Sequence, residues 1–99
     1  MQYIDVQWIH ENADDPVRLV SELDDERFEA RKIEFFSNGK VETADIDHSG
    51  PDTRLGEGAV PSLEEINADS QFLGVAIQAA EFEALWVIHR GKLKVRPQK

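Results

Sequence analysis

The stretch that decides the fold class is residues 28–46, FEARKIEFFSNGKVETADI. Apolar and polar side chains alternate on both sides of Asn38-Gly39, the dipeptide that best tolerates a type I′ hairpin turn. A two-residue turn at this position sets Lys32 opposite Asp45 as a favourable cross-strand pair. The same register predicts a core face made of Ile33, Phe35, Ala44 and Ile46.

Two more strands are predicted before this hairpin. Residues 3–10 alternate with Ile4, Val6 and Trp8 on one side, and His10 continues that apolar face. A polar turn ending at Pro16 follows. The next strand, residues 17–23, places Val17, Leu19, Ser21 and Leu23 on a shared face.

After the hairpin the pattern changes from strands to a loop and helices. Residues 47–59 have no period and contain three glycines and a proline, which predicts a long loop. Ser62 and Glu65 form a capping box that opens a short helix to about Ala68. A fifth strand is predicted at 72–78 and a helix at 79–90, with Gly91 as its C′ residue. The predicted packing face of that helix comprises Phe82, Leu85, Trp86 and His89.

These elements predict an α+β fold: an antiparallel four- to five-stranded sheet with a short helix and a C-terminal helix packed on one face. The other face of the sheet is then expected to be open. A chain of 99 residues has room for a single modest core. We expect one domain over residues 1–91 and a basic tail over 92–99.

The composition is acidic, with 11 Lys plus Arg against 20 Asp plus Glu and a formal charge of −9. Such a surface repels nucleic acid and attracts basic proteins. The chain has no cysteine, which excludes disulfides, thiolate nucleophiles and cysteine-ligated metals. We expect no cofactor and no metal. The sequence shows neither a signal-peptide pattern nor an apolar run that could span a bilayer, which favours a cytoplasmic location and no membrane partner.

Two residues are candidates for a pocket with chemistry. His10 has two interpretations: a rim residue satisfied by a backbone carbonyl, or a ligand or catalytic group. Arg31 also has two interpretations. It could place its guanidinium beside His10 in a pocket, or it could be a structural arginine paired with Glu29, Glu22 or Glu11. The candidate pocket consists of Trp8, His10, Arg31 and Glu34.

Other clusters carry weaker signals. Asp45, Asp47 and His48 offer metal ligands, but their spacing matches no calcium-loop pattern. The glycines of the long loop lack the spacing and the lysine of a phosphate-binding loop. Acidic runs in two predicted turns form a candidate interaction surface, which comprises Asp14, Asp15, Asp24, Asp25 and Glu26.

Several segments in order resemble a family of small bacterial proteins, common in actinomycetes, that is catalogued as a domain of unknown function. They include Trp8-Ile9-His10-Glu11-Asn12, Ser21-Glu22-Leu23-Asp24-Asp25-Glu26-Arg27, Arg31-Lys32-Ile33-Glu34-Phe35, Thr53-Arg54-Leu55-Gly56-Glu57, Pro61-Ser62-Leu63-Glu64-Glu65-Ile66-Asn67 and Glu81-Phe82-Glu83-Ala84-Leu85-Trp86. The resemblance implies no activity and no catalytic residue. Ala79 departs from the pattern, which has a serine cap at that position.

Two hypotheses about function follow. The first is a non-enzymatic interaction module, immunity-like or antitoxin-like, whose acidic surface binds a basic protein. The alternative is a small-molecule-binding or hydrolytic pocket around Trp8, His10, Arg31 and Glu34. The first is favoured because no motif with a catalytic mechanism is present. A homodimer through sheet edges or the tail is compatible with both.

Overall fold

The computed structural model describes residues 1–90, in which five strands and two helices alternate with turns and one long loop. The strands are β1 (Gln2–Trp8), β2 (Pro16–Leu23), β3 (Glu29–Phe36), β4 (Val41–Asp45) and β5 (Phe72–Ala76). The helices are α1 (Leu63–Ala68) and α2 (Ala79–His89). The predicted residue Gly91 and the predicted tail lie outside the described residues.

All neighbouring strands are antiparallel, and their order across the sheet is β4-β3-β2-β1-β5. The α+β fold class is therefore confirmed. β1 is shorter than predicted: it ends at Trp8, and His10 belongs to the turn that follows.

The hairpin register differs by one residue from the prediction. Lys32 faces Ala44, and Ile33 faces Thr43. Gly39 has a φ of 92°, whereas Asn38 is not among the residues with positive φ. The Asn38 side chain instead accepts a hydrogen bond from the Lys40 amide. One positive-φ residue, rather than two, gives a turn that is longer by one residue.

This shift moves β4 side chains to the other face, because side chains alternate along a strand. Ala44 shares a face with Lys32, not with Ile33. Ile46 lies beyond the end of β4 and is 87% exposed, so its predicted place in the core is wrong. The predicted Lys32–Asp45 pair is absent among the described residues: Lys32 binds Glu29 and Glu34.

Different elements pack on the two faces of the sheet. The loop face carries Ile4, Val6, Leu19 and Ser21, and the helix face carries Tyr3, Val20, Arg31, Ile33 and Phe35. On the helix face, α2 buries Phe82 completely against Val20 and Ile33, as its predicted packing face requires.

The loop face is not open, in contrast to the prediction. Residues 46–62 cross it from β4 towards β1, and α1 then packs Leu63 and Ile66 against Ile4 and Val6. The predicted capping box of α1 is present: Ser62 Oγ accepts from the Glu65 amide at 3.2 Å. At the start of α2, where a serine is missing, the Glu81 carboxylate accepts from the Gln78 amide at 2.8 Å.

Candidate functional site

A cavity of about 420 Å³ lies between the loop face of the sheet, α1 and the end of the long loop. Its floor is formed by aliphatic side chains of β1 and β2, namely Ile4, Val6 and Leu19. Its apolar walls are formed by Val60, Pro61, Ile66 and Phe72. A concave apolar space of this size is typical of small-ligand sites.

Four polar residues also line this cavity, and three of them are acidic. Ser21, in the middle of β2, is 4% exposed, and its hydroxyl forms no hydrogen bond to any described residue. Glu65 and Asp69 are exposed at the rim, whereas the side chain of Glu29 is 11% exposed. None of the described residues that line the cavity is a lysine, arginine or histidine.

Each carboxylate of the cavity has one oxygen that holds the local fold. Glu65 Oε1 accepts from the Ser62 amide, and Asp69 Oδ1 accepts from the Gln71 amide at 2.9 Å. Glu29 Oε1 accepts from the Gly56 amide at 2.6 Å and lies 3.1 Å from Lys32 Nζ. The negative charge of Glu29 is therefore partly balanced, while the charges of Glu65 and Asp69 have no cation partner among the described residues.

A charged network beside the cavity fixes the long loop to β3 and β4. Glu34 accepts from the Thr53 hydroxyl at 2.7 Å, and Lys32 Nζ lies 3.4 Å from its other oxygen. Glu42 accepts from the Asp52 amide at 2.8 Å. Glu34 and Glu42 are both buried, and buried carboxylates are stabilised only when donors or cations surround them. Glu34 of the predicted pocket therefore holds a loop.

Trp8 and His10 do lie together, with ring centroids 4.6 Å apart. His10 Nδ1 accepts from the Asn12 amide, which leaves the proton on Nε2, and Nε2 donates to the carbonyl of Pro16 at 2.8 Å. Both ring nitrogens thus fasten the turn between β1 and β2. Trp8 stacks on Phe72, and its buried indole N–H has no partner among the described residues.

Arg31 lies on the helix face, on the side of the sheet opposite to Trp8 and Glu34. Its guanidinium bonds Glu22 at 2.7 and 2.9 Å and also bonds Glu83 of α2. It also lies 4.9 Å from the ring centroids of Phe82 and Trp86. The bond to Glu22 raises the pKa of Arg31 and lowers the pKa of Glu22, so both groups stay charged.

The predicted pocket of Trp8, His10, Arg31 and Glu34 is thus not a single site. The strand register places Arg31 on the other face, and Leu19 of β2 lies between the strands that carry Trp8 and Glu34. The alternation along β2 predicts Ser21 on the same face as Leu19, but no pattern in the sequence predicts the cavity. Its walls come from the aperiodic loop and α1, whose position over the sheet has no periodic signal.

The candidate acidic surface is divided between the two ends of β2. Asp14 and Asp15 precede this strand, and Asp24, Asp25 and Glu26 follow it. Some of these groups also fix their turns: Asp24 Oδ1 accepts from the amides of Glu26 and Phe28, both at 2.9 Å. The five residues therefore form two acidic patches.

The structure offers no metal cluster among residues 1–90, in the sense of three or more His, Asp or Glu groups that converge. Asp45, which belongs to the weak metal motif, lies 3.5 Å from Arg90 and accepts from the Asp47 amide. The contact with Arg90 joins the end of β4 to the end of α2, and the bond from Asp47 fixes the turn after β4.

The family model described as Domain of unknown function (DUF6881) matches residues 2–91. The chain belongs to this family. The match begins with β1 and extends beyond α2, so all seven elements and the cavity lie within the family domain. Comparison with the curated proteins and with the solved structures finds no match. Neither of the described helices has the length and apolar composition needed to cross a membrane.

Proposed function

We propose that this domain is a non-enzymatic interaction module that binds a basic protein through its acidic patches. The observation that supports this proposal is an imbalance in ion pairing among the charged side chains of residues 1–90. Within residues 1–90, nearly all cations are bound by groups of the same domain, whereas many carboxylates remain without a cation.

Nearly all basic side chains in the described part are engaged. Arg18, Arg31, Lys32, Lys40 and Arg90 each lie within 4.0 Å of a carboxylate. Arg27 donates to the carbonyls of Val60 and Pro61 and to Gln2. Arg54 is exposed and is the exception among residues 1–90.

The carboxylates show the opposite balance. Nine of the 20 acidic residues form ion pairs, which leaves eleven without a cation among the described residues. A partner that approaches this domain meets an excess of negative charge. Complementary charge accelerates such an encounter and selects against acidic partners.

The residues first considered for catalysis support a binding role instead. The ring nitrogens of His10 and the guanidinium of Arg31 both form hydrogen bonds that hold turns and elements in place. A substrate would have to break these contacts to use either group. Binding through exposed carboxylates requires no such change.

The proposal is tested by identifying a partner and measuring how its affinity depends on salt. Tagged protein captures partners from a lysate of its source organism at low ionic strength, and salt steps release them for identification. The purified partner is then titrated calorimetrically, and its Kd is expected to rise at least about tenfold between about 50 and 300 mM NaCl. A partner whose affinity does not change with salt, or no partner at all, would contradict the proposal.

Charge-neutral variants locate the contact. One variant changes the first patch (Asp14→Asn with Asp15→Asn) and a second changes the other patch (Asp25→Asn with Glu26→Gln). The control, Glu57→Gln with Glu64→Gln, removes the same charge from exposed residues outside both patches. One patch variant is expected to weaken binding about tenfold while the control changes it less than about twofold. Equal effects of all three variants would show a general charge effect and reject the patches as the contact.

A further inference from the structure

We infer that the cavity under α1 is a binding site for an aliphatic cation, an alkyl chain that ends in an ammonium or guanidinium group. Two independent features support this inference. One is the Ser21 hydroxyl, which lines the cavity without a hydrogen-bond partner among residues 1–90, and the other is the charge of the residues around the opening of the cavity. This inference goes beyond the acidic patches, which lie on the turns at the ends of β2.

The floor of the cavity fits an alkyl chain. Ile4, Val6 and Leu19 present aliphatic surface from two paired strands, and Ile66 of α1 lies among the opposing walls. Chains of methylene groups gain free energy from burial on such a surface in proportion to the apolar area removed from water. Phe72 adds one aromatic wall, and its ring also stacks on the ring of Trp8.

Ser21 indicates that the occupant has a polar group. This residue is nine-tenths buried or more, and its hydroxyl lines the cavity without a hydrogen-bond partner among residues 1–90. Polar groups that line a ligand cavity orient the ligand through hydrogen bonds. A ligand that reaches the floor of the cavity with an N–H or O–H group would provide the partner that the protein does not.

The carboxylates around the cavity determine the charge of that group. Glu65 and Asp69 each retain one oxygen that no described residue binds, and the lining contains no cation to oppose them. An anionic ligand would be repelled by these carboxylates, and a neutral alkyl chain would leave their free oxygens without a partner. The rim carboxylates attract a cation into the cavity, where the alkyl chain lies on the aliphatic floor and the cationic group donates to Ser21.

Such chemistry has two sources: a free alkylamine or alkylguanidine, and a lysine or arginine side chain of a bound polypeptide. Both carry an aliphatic stem and a cationic end. The experiment therefore has two arms. The first probe is hexylammonium, with 1-hexanol as the uncharged control. The second is the blocked peptide Gly-Lys-Gly, with the norleucine peptide as its control.

Binding to the full chain is measured by titration calorimetry and by amide shifts in NMR spectra. We expect one cationic probe or both to bind at least about tenfold more tightly than the matched uncharged probe. The largest amide shifts are expected at Ser21, Ile66 and Phe72. If only hexylammonium binds, the source is a free small molecule, and if only the lysine peptide binds, the source is a side chain.

Two conservative variants test the polar groups without removing their structural bonds. Glu65→Gln with Asp69→Asn keeps the oxygens that accept from Ser62 and Gln71, but removes both charges. This variant is expected to abolish the preference for the cationic probe, and Ser21→Ala is expected to weaken binding a few-fold. The control variant Glu57→Gln with Glu64→Gln should leave both affinities within about twofold of the original.

The inference is overturned if no cationic probe binds, if the uncharged probes bind equally well, or if removal of both rim charges has no effect. The outcome is independent of the proposed function. A basic partner that binds the turn patches in the Glu65→Gln, Asp69→Asn variant would leave that function intact while the cavity fails its own test.

Discussion

Arg31 links the sheet to α2 through one side chain. Its guanidinium bonds Glu22, which is 7% exposed, and Glu83, whose side chain is 49% exposed. Arg31→Ala leaves the buried Glu22 carboxylate with only the Tyr3 hydroxyl at 3.1 Å. Loss of one partner of a buried pair costs about 3 kcal/mol, so a decrease of that size in the free energy of unfolding is expected in urea denaturation.

The matched control for this change is Glu83→Gln. It removes the exposed partner of Arg31 and keeps the buried bond to Glu22, so its cost is expected to stay below about 1 kcal/mol. If both variants lose equal stability, the contact of Arg31 with Glu83 of α2 contributes the stability. The buried pair with Glu22 then contributes little.

Glu22 also predicts how stability depends on pH. The hydrogen bond from Arg31 lowers the pKa of Glu22 in the folded chain below the ordinary value of 4.5. The unfolded chain therefore takes up a proton first as the pH falls. The stabilisation by Glu22 is fully present above about pH 5 and decreases as the pH falls below 4.5 towards the folded pKa.

Glu22→Gln removes this contribution. The variant is expected to be less stable than the original chain at pH 7, and the difference should shrink as the pH falls below 4.5. Urea denaturation at a series of pH values measures the difference in the free energy of unfolding between the two chains. A difference that stays constant down to pH 3 would show that the ion pair is not its cause.

At the scale of elements, α1 protects the edge of the sheet that β5 forms. The Asn67 side chain accepts from the Gly74 amide at 2.6 Å and donates to the Gly74 carbonyl at 2.9 Å. It thereby occupies the backbone groups that a further strand would pair with. A Cβ atom at Gly74 would lie 3.0 Å from Leu63 and 3.2 Å from Val6, so only glycine allows α1 to lie this close.

Asn67→Ala is expected to have two effects. The loss of two hydrogen bonds to Gly74, which is buried, should lower the free energy of unfolding by about 1 to 2 kcal/mol. The unprotected edge of β5 should also increase self-association, which sedimentation velocity measures. Gln71→Ala, an exposed change in the neighbouring turn, is the control and should do neither. A variant that self-associates no more than the original chain would show that other features protect this edge.

At the scale of the whole molecule, the sequence predicts elements better than it predicts their assembly. The strands, the capping box of α1 and the packing face of α2 follow from short-range periodicity and local hydrogen bonds. The hairpin register was wrong because it depends on a single φ angle, that of Asn38. The cavity was missed because its walls depend on buried carboxylates that hold the aperiodic loop against β3 and β4.

The excess of carboxylates predicts how the whole fold responds to salt. With a formal charge of −9 and eleven carboxylates unpaired among residues 1–90, repulsion within the folded chain lowers its stability. Salt screens exposed charges more strongly than buried pairs such as Arg31–Glu22. We therefore expect Tm to rise by a few degrees, about 2 to 5 °C, between about 10 and 300 mM NaCl.

The variant Glu57→Gln with Asp47→Asn separates repulsion from other effects of salt. It removes two exposed negative charges that have no cation partner among the described residues, so its Tm at low salt should exceed that of the original chain. The difference should nearly vanish at high salt, where the repulsion is already screened. A Tm that falls as salt is added would mean that screening of the ion pairs outweighs relief of repulsion, and that the fold depends on exposed pairs such as Lys40–Asp52.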